Sequence, residues 1–464
     1  MRTDRHRHSD GPTTCRPTKR VLKSIRKEIK ASRVLSRGDI HLAAAMGLVA
    51  TDSRRPMGLN DGVFYPPVQA PKAALVPARR GVRPLERLQR AQLKQKMHAL
   101  ALLVDFSDNK GKRPAADFEK LIFDVGNPGS MTSYYNAISR GALDVSGEVV
   151  GYIRAPHPYS YYTNGESGTG DFSYPHNTPG LLFDVLTEFC KTDDLKRFDL
   201  DGDGYVDGLF LIHAGGGAEA EPNATKRKNM IWSHKWVLPA PFTNKGVSVY
   251  AYSTEPEDGR LGVFAHEFGH VLGLPDLYDA TYRSEGIGDW CLMAGGEWGG
   301  NGDQPTRMSA WCLSQLGWVK PKKIKKTQTL TLATIEASKS ACYRVSKKGA
   351  AGPEYFLLEN RQPTGQDSAI PGSGLAVWHI DETQTNNDEP LQYLVALVQA
   401  DGKRDLELNH NQGDPGDLFP GSKKVTKADD STTPSLRAND GSATGVALSK
   451  IAESGGQVTL KVKV

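Results

Sequence analysis

The hydrophobic and polar positions along this chain change period several times, and each change marks an element. A continuous apolar run, His98–Phe106 (HALALLVDF), predicts a strand buried on both faces. Helical spacing of apolar residues predicts helices over Pro84–Lys96, Ala116–Phe123, Met131–Arg140 and Pro179–Lys191. Strands are predicted over Asp144–Arg154, Val206–His213 and Val247–Ser253, followed by a helix of small and apolar residues over Gly262–Leu272. Beyond Pro321 the runs shorten into strands at Thr327–Leu332, Tyr343–Ser346, Tyr355–Glu359, Gly374–His379, Leu394–Gln399 and Gln457–Val464. The alternation predicts an α+β fold, a twisted mixed sheet with backing helices and a cleft along its edge. The expected organisation is a basic, Pro/Gly-punctuated arm or pro-segment over 1–82, a central domain over 83–322 and a β-rich C-terminal domain over 323–464.

The Gly262–Leu272 helix carries the chemistry. Its run HEFGHVLGLPD places His266 and His270 four residues apart, hence on one helix face one turn from each other. Both imidazoles can then reach one zinc ion (Zn2+), while Glu267 stands beside the first, placed to accept a proton from a metal-activated water. Gly273 lets the chain leave the helix abruptly, since a left-handed residue there meets no Cβ clash. That turn can bring Asp276 back as a third ligand and keep a fourth position for water. Asp279, Glu285 and Asp289 lie close enough in sequence to compete for the third place. The helix is otherwise apolar (Leu261, Val263, Phe264, Ala265, Phe268, Val271, Leu272), and such surroundings would bury these polar groups at a cost unless something satisfied them.

The GxxD extension has the spacing of metzincin-like enzymes, and Trp290–Gly296 (WCLMAGG) resembles their Met-turn, with Met293 as the hydrophobic floor under the metal. The longer stretches LGVFAHEFGHVLGLPDLYD and GIGDWCLMAGGEW are similar to the immune inhibitor A-type family of secreted zinc metallopeptidases. The resemblance continues in LVDFSDN at Leu103–Asn109, in Ser130–Tyr152, in Asp199–Gly217 and in IWSHKW at Ile231–Trp236. It resumes in EYFLLENRQ at Glu354–Gln362 and GSGLAVWHID at Gly372–Asp381, and so spans roughly residues 96–420. It implies a zinc metalloendopeptidase that hydrolyses peptide bonds in protein or peptide substrates, and it implies secretion. In that reading Glu267 is the general base, and Tyr278 is a candidate donor to the oxyanion.

A second candidate metal site is Asp199-Leu200-Asp201-Gly202-Asp203-Gly204-Tyr205-Val206-Asp207, which reproduces the opening of an EF-hand loop. Asp199, Asp201, Asp203, Tyr205 and Asp207 are its candidate calcium (Ca2+) ligands. Position 12 is Phe210 rather than glutamate, and a strand follows instead of an exiting helix. That pattern excludes a calcium sensor and leaves a structural ion as the expectation, because four carboxylates in nine residues repel one another without a cation.

Composition adds less. The 464 residues include 38% hydrophobic positions, enough for a core, and no run is long and apolar enough for a membrane span. The net charge of +5 is uneven: residues 1–38 hold 12 Lys and Arg against 3 Asp and Glu, while the remainder holds 46 against 50. A solvated basic tail accounts for the arm without a nucleic-acid partner. Val21, Leu22, Ile25, Ile29 and Leu35 among its cations predict a short basic amphipathic helix. IHLAAAMGLVA at Ile40–Ala50 is the nearest approach to a secretory signal, and it lacks the standard order of one. The five cysteines, at 15, 190, 291, 312 and 342, are odd in number and form no CxxC pair. A Cys15 thiolate could occupy the open metal position and hold an enzyme latent, although only Arg16-Pro17 stands beside it and an incidental cysteine is the simpler reading.

Two rival readings survive at this level. One is a non-catalytic protein that uses zinc for stability and its β-rich tail for binding; the other is a zinc hydrolase of a non-peptide bond. Structural zinc is normally closed by four protein ligands, and the glutamate after His266 has no purpose in such a site. Oligomeric state and cleavage preference leave no mark in the sequence.

Overall fold

A computed structural model describes residues 13–31, 96–170, 173–338 and 341–464. Its largest sheet has six strands in the order β1-β5-β6-β4-β2-β3. These are β1 (Thr13–Thr14), β2 (Lys96–Asp105), β3 (Asp144–Arg154), β4 (Leu209–His213), β5 (His234–Asn244) and β6 (Val247–Pro256). β2 runs parallel to β3 and β4, and β4 parallel to β6; β5 returns antiparallel beside β6. β1 then pairs antiparallel with β5, Thr13 opposite Lys235 and Thr14 opposite His234. The unbroken apolar run of β2 follows from two-sided burial. Ala99, Ala101 and Leu103 enter one core, and Leu100, Leu102 and Val104 enter the other.

Helices cover both faces. The longer ones are α1 (Lys19–Ala31), α2 (Ala115–Ile122), α3 (Met131–Ser139), α4 (Thr178–Phe189), α5 (Leu261–Val271) and α6 (Ala310–Gln315). α2, α3 and α5 bring Phe118, Ile122, Tyr134, Tyr135, Phe264 and Phe268 to the first core. α4 brings Leu182, Val185 and Leu186 to the second. Local chemistry fixes where they begin: the Ser130 and Asn177 side chains accept from Ser133 N and Gly180 N, and α4 has a proline in its first turn.

The later strands form two further sheets. One has the order β12-β11-β10-β9-β7 and the other β13-β14-β8. Here β7 is Lys322–Lys323, β8 Gln328–Leu332, β9 Tyr343–Val345, β10 Glu354–Arg361, β11 Gly374–Asp381, β12 Val395–Leu397, β13 Ala447–Ser454 and β14 Gln457–Lys463. Alternation along β10 and β11 sorts their side chains between two layers. Tyr355, Leu357, Ala376 and Trp378 join the core that holds α5, while Phe356, Leu358, Leu375 and Val377 pack with Leu332, Val458 and Leu460 of the third sheet. The apolar interior is thus continuous across position 322, where the sequence suggests a boundary.

Several expectations need correction. The strand predicted from Val206 begins at Leu209, because Val206 N is drawn aside to Ser248 O at 3.0 Å. Lys96 opens β2 instead of closing a helix; residues 84–95, like the signal-like stretch 40–50 and Leu35, lie outside the described residues. The arm is not all solvated tail. Its residues 13–31 pack on the body, with Val21, Leu22 and Ile25 of α1 buried in the first core.

Candidate metal centre

α5 is buried along its whole length, so His266, Glu267 and His270 sit in the interior. After its C-cap at Leu272, Gly273 adopts a φ of +92° and the chain doubles back, as the glycine there predicts. The turn brings Asp276 Oδ1 to 3.2 Å from His266 Nε2 and 3.3 Å from His270 Nε2, and the two Nε2 atoms are 3.1 Å apart. Each imidazole donates its Nδ1 proton to a backbone carbonyl, His266 to Leu292 O at 2.9 Å and His270 to Leu274 O at 2.8 Å. The tautomers follow: both Nε2 atoms then carry lone pairs, and neither can donate to the other. Asp276 Oδ1 has no hydrogen-bond partner. Three lone-pair donors thus converge on one point, a repulsive arrangement that a cation resolves. Tetrahedral zinc with bonds of about 2.0–2.1 Å has donor–donor edges of about 3.3–3.4 Å, close to the observed triangle. With no cation in place, burial works against a charged His266, yet the carboxylates of Glu297, Asp276 and Glu267 push it up to about 10, so a proton on Nε2 would stand where the cation otherwise sits. The site calls for positive charge.

Of the competing carboxylates, none enters this triangle. Asp279 accepts from Thr281 N at 2.7 Å and Ser284 N at 2.9 Å, bracing the turn. Glu285 meets Arg16 and Arg26, and Asp289 meets Lys19. Glu267 is fully buried, and neither carboxylate oxygen has a hydrogen-bond partner. Burial holds its pKa well above the usual range; His266 pulls it down, while Glu255, Asp276 and Glu297 add to the rise.

Met293 is buried against α5 where Gly269 leaves room, since a Cβ on Gly269 would lie 2.4 Å from Met293 Sδ. The preceding Leu292 supplies the carbonyl that orients His266, so this turn holds the imidazole as well as packing against α5.

The N-terminal segment lies across the site. Cys15 N donates to Ser233 O at 2.8 Å, Trp232 Nε1 to Cys15 O at 2.7 Å and Trp298 Nε1 to Arg16 O at 3.0 Å. Tyr278 OH, read from sequence as an oxyanion donor, donates to the carbonyl of Thr14. Cys15 is buried, and its thiol donates to Glu297 Oε2 at 3.2 Å; it is not one of the three converging donors. The cysteine is therefore built into the site, contrary to the expectation that it is incidental. Burial first, then Glu297, Glu219 and Glu267, raise its pKa well above the ordinary thiol value, which favours SH over thiolate. Glu297 itself escaped the sequence reading. It lies 3.5 Å from His266 Nδ1, and burial pushes it up to about 7. The one available signal was a lone acid in the glycine- and tryptophan-rich stretch after Met293.

In the acidic loop, Asp199, Asp201 and Asp207 come together, with carboxylate oxygens within 4.8 Å of one another. Asp203 and Tyr205, expected as ligands, are not in that group. Asp203 N donates to Asp199 Oδ1 at 3.0 Å, and Tyr205 N to Asp203 Oδ1 at 2.9 Å, so much of the carboxylate capacity folds the loop itself.

A mixed sheet with an antiparallel edge strand, a buried helix bearing two histidines, a returning aspartate and an unpartnered glutamate is the layout of a metallopeptidase. Residues 116–319 match the family described as immune inhibitor A peptidase M6, catalytic domain. That stretch of the chain is similar to the immune inhibitor A peptidases. It is 32% identical to immune inhibitor A of Bacillus thuringiensis subsp. alesti, over 46% of this chain and 39% of that protein. It is 30% identical to the pre-pro-metalloprotease PrtV of Vibrio cholerae, over 46% of this chain and 28% of that protein. The alignments thus cover well under half of either relative's length. No helix among the described residues is long and apolar enough to cross a membrane.

Proposed function

We propose that this protein is a secreted zinc-dependent endopeptidase, with His266, His270 and Asp276 as metal ligands and Glu267 as general base. The observation that carries the reading is the triangle of lone-pair donors at 3.1–3.3 Å beside a buried glutamate without a partner. When bound, the cation supplies Lewis acidity and lowers the pKa of a coordinated water towards ~7. Glu267 accepts the proton from the attacking water and passes it to the leaving amine, a role suited to a carboxyl whose basicity burial has raised. Tyr278 donates to the oxygen of the scissile carbonyl, as it does to Thr14 O. An extended substrate adds to the β5 edge as β1 does, through backbone hydrogen bonds. Residues 13–31 then act as a pro-segment that fills the cleft until it is displaced.

A structural zinc protein fits less well, because the donor triangle is open and Glu267 braces nothing. The test takes the full chain, folded intact and then cut once at an engineered protease site between residues 50 and 80. Casein hydrolysis is expected, suppressed by 1,10-phenanthroline and restored by added zinc. A cut, zinc-loaded protein that leaves casein whole would overturn the proposal.

We also propose a structural calcium ion at Asp199, Asp201 and Asp207, pinning the loop that leads into β4. At free calcium about a hundred times its Kd, such an ion adds about 2.7 kcal/mol to stability. EGTA is then expected to lower the Tm, and an unchanged Tm would discard the ion.

A further inference from the structure

The pro-segment does more than cover the metal site, because its cations neutralise an acidic pocket beside it. Arg16 is 1% exposed, and its Nη2 meets Glu285 Oε2. Arg26 Nη1 reaches the other oxygen of Glu285 at 2.9 Å, and Lys19 Nζ reaches Asp289 Oδ2 at 3.0 Å. Every ion pair that Glu285 and Asp289 make among the described residues therefore comes from residues 16–26. Gly295 provides the room. A Cβ there would lie 2.7 Å from Asp289 Oδ1 and 3.1 Å from Arg16 Nη1, so any side chain would crowd the guanidinium. Arg16 Nη1 and Asp289 Oδ1 each lack a hydrogen-bond partner, which leaves the pocket capacity for a differently seated cation.

With the segment seated, Glu285 is 2% exposed; once the segment leaves, its side chain keeps only the neutral Gln412 Nε2 at 3.2 Å. A carboxylate in a pocket that has lost its cations draws in another. The backbone of the segment shows what can supply it. Thr14 O is gripped by the Tyr278 hydroxyl, Cys15 pairs with Ser233, and Arg16 follows with its carbonyl on Trp298. An extended peptide that makes the same bonds places its second residue after the gripped carbonyl in this pocket.

We infer that Glu285, supported by Asp289, is a specificity-determining residue that selects substrates with arginine, and less strongly lysine, at the second position after the scissile bond. The inference rests on the endopeptidase reading for the place of the cut, but the pocket's preference is measurable without hydrolysis. A guanidinium offers Glu285 a two-pronged contact that an ammonium cannot match, which sets the order of preference.

The test has two arms, both on the full chain cut after folding. In the first, the Glu267→Ala variant is titrated with fluorescein-labelled peptides of sequence GPTTCRPTK and versions with Lys or Leu in place of the arginine. The arginine peptide is expected to bind at least about tenfold more tightly than the leucine peptide, with lysine between them. Glu285→Gln should erase the difference and leave leucine-peptide binding unchanged, which also certifies its fold. Equal binding of the three peptides, or an arginine preference that survives Glu285→Gln, overturns the inference. If Glu285→Gln fails to fold, Asp289→Asn and the peptide series still decide it. In the second arm, the cut wild type digests a mixed peptide library, and its products are read by mass spectrometry. Arginine enriched two residues after the cut supports the pocket. Phenanthroline-sensitive cleavage without that enrichment overturns it and leaves the endopeptidase standing. Arginine-selective binding with no hydrolysis at all supports the pocket and overturns the endopeptidase.

Discussion

Glu267→Ala is expected to reduce casein hydrolysis by about 10²–10⁴-fold, the usual contribution of a positioned general base. Zinc content should stay at the wild-type level, since Glu267 is not among the three converging donors. The substitution should also be tolerated by the fold. Neither carboxylate oxygen has a hydrogen-bond partner, so alanine breaks no hydrogen bond and removes a buried carboxyl that nothing satisfies. Parallel measurement of bound metal, Tm and hydrolysis separates the alternatives. Loss of metal together with activity would make Glu267 part of the metal site, and retained hydrolysis would refute its role as base.

Asp367→Ala is expected to destabilise the fold by about 3–5 kcal/mol, the typical cost of removing one partner from a buried ion pair. Asp367 is 1% exposed and accepts from Arg361 Nε at 2.7 Å, Arg361 Nη2 at 2.6 Å and Arg307 N at 2.9 Å. Glu359, equally buried, accepts from Arg307 Nη2 at 2.8 Å. Alanine at 367 leaves Glu359 as the sole buried carboxylate between two guanidiniums. The loss should spread towards the metal centre, because Arg361 Nη1 also donates to Trp290 O at 3.0 Å, ahead of Met293. Burial raises the Asp367 pKa, but Arg361 and Arg307 outweigh it and hold it below the ordinary ~3.9. Its contribution is therefore present above ~3.9 and is lost as the pH falls through the lower folded value. Urea unfolding at neutral pH, with Asp367→Asn alongside, measures the effect; a change under 1 kcal/mol would show the network to be dispensable.

The donor triangle was legible because its residues lie within eleven positions of one another, where helix geometry and one glycine turn fix their relation. The buried strand β2 and the layered strands β10 and β11 were legible from their patterns for the same local reason. What stayed hidden depends on contacts between distant parts of the chain. Cys15 meets Glu297 across 282 positions, and Arg16 meets Glu285 across 269. No local pattern encodes such pairs. Four acids competed for the third place in the sequence, and the turn at Gly273 brings only Asp276 beside the two histidines. β5 was missed because Pro239 and Pro241 count against a strand anywhere but at an edge. β13 was missed because its register shifts between Ser449 and Ala452, which blurs the alternation.

Those two prolines bear on what becomes of the molecule once its first strand has gone. Bare sheet margins invite adhesion between neighbouring molecules, and a proline cannot offer the amide such adhesion needs. The stretch of β5 around Pro239 and Pro241 is guarded in this way, whereas the stretch at His234 and Lys235 is the one that β1 covers. Were β1 released as proposed, only the stretch at His234 and Lys235 would be left receptive, and the outer rim would still resist clumping.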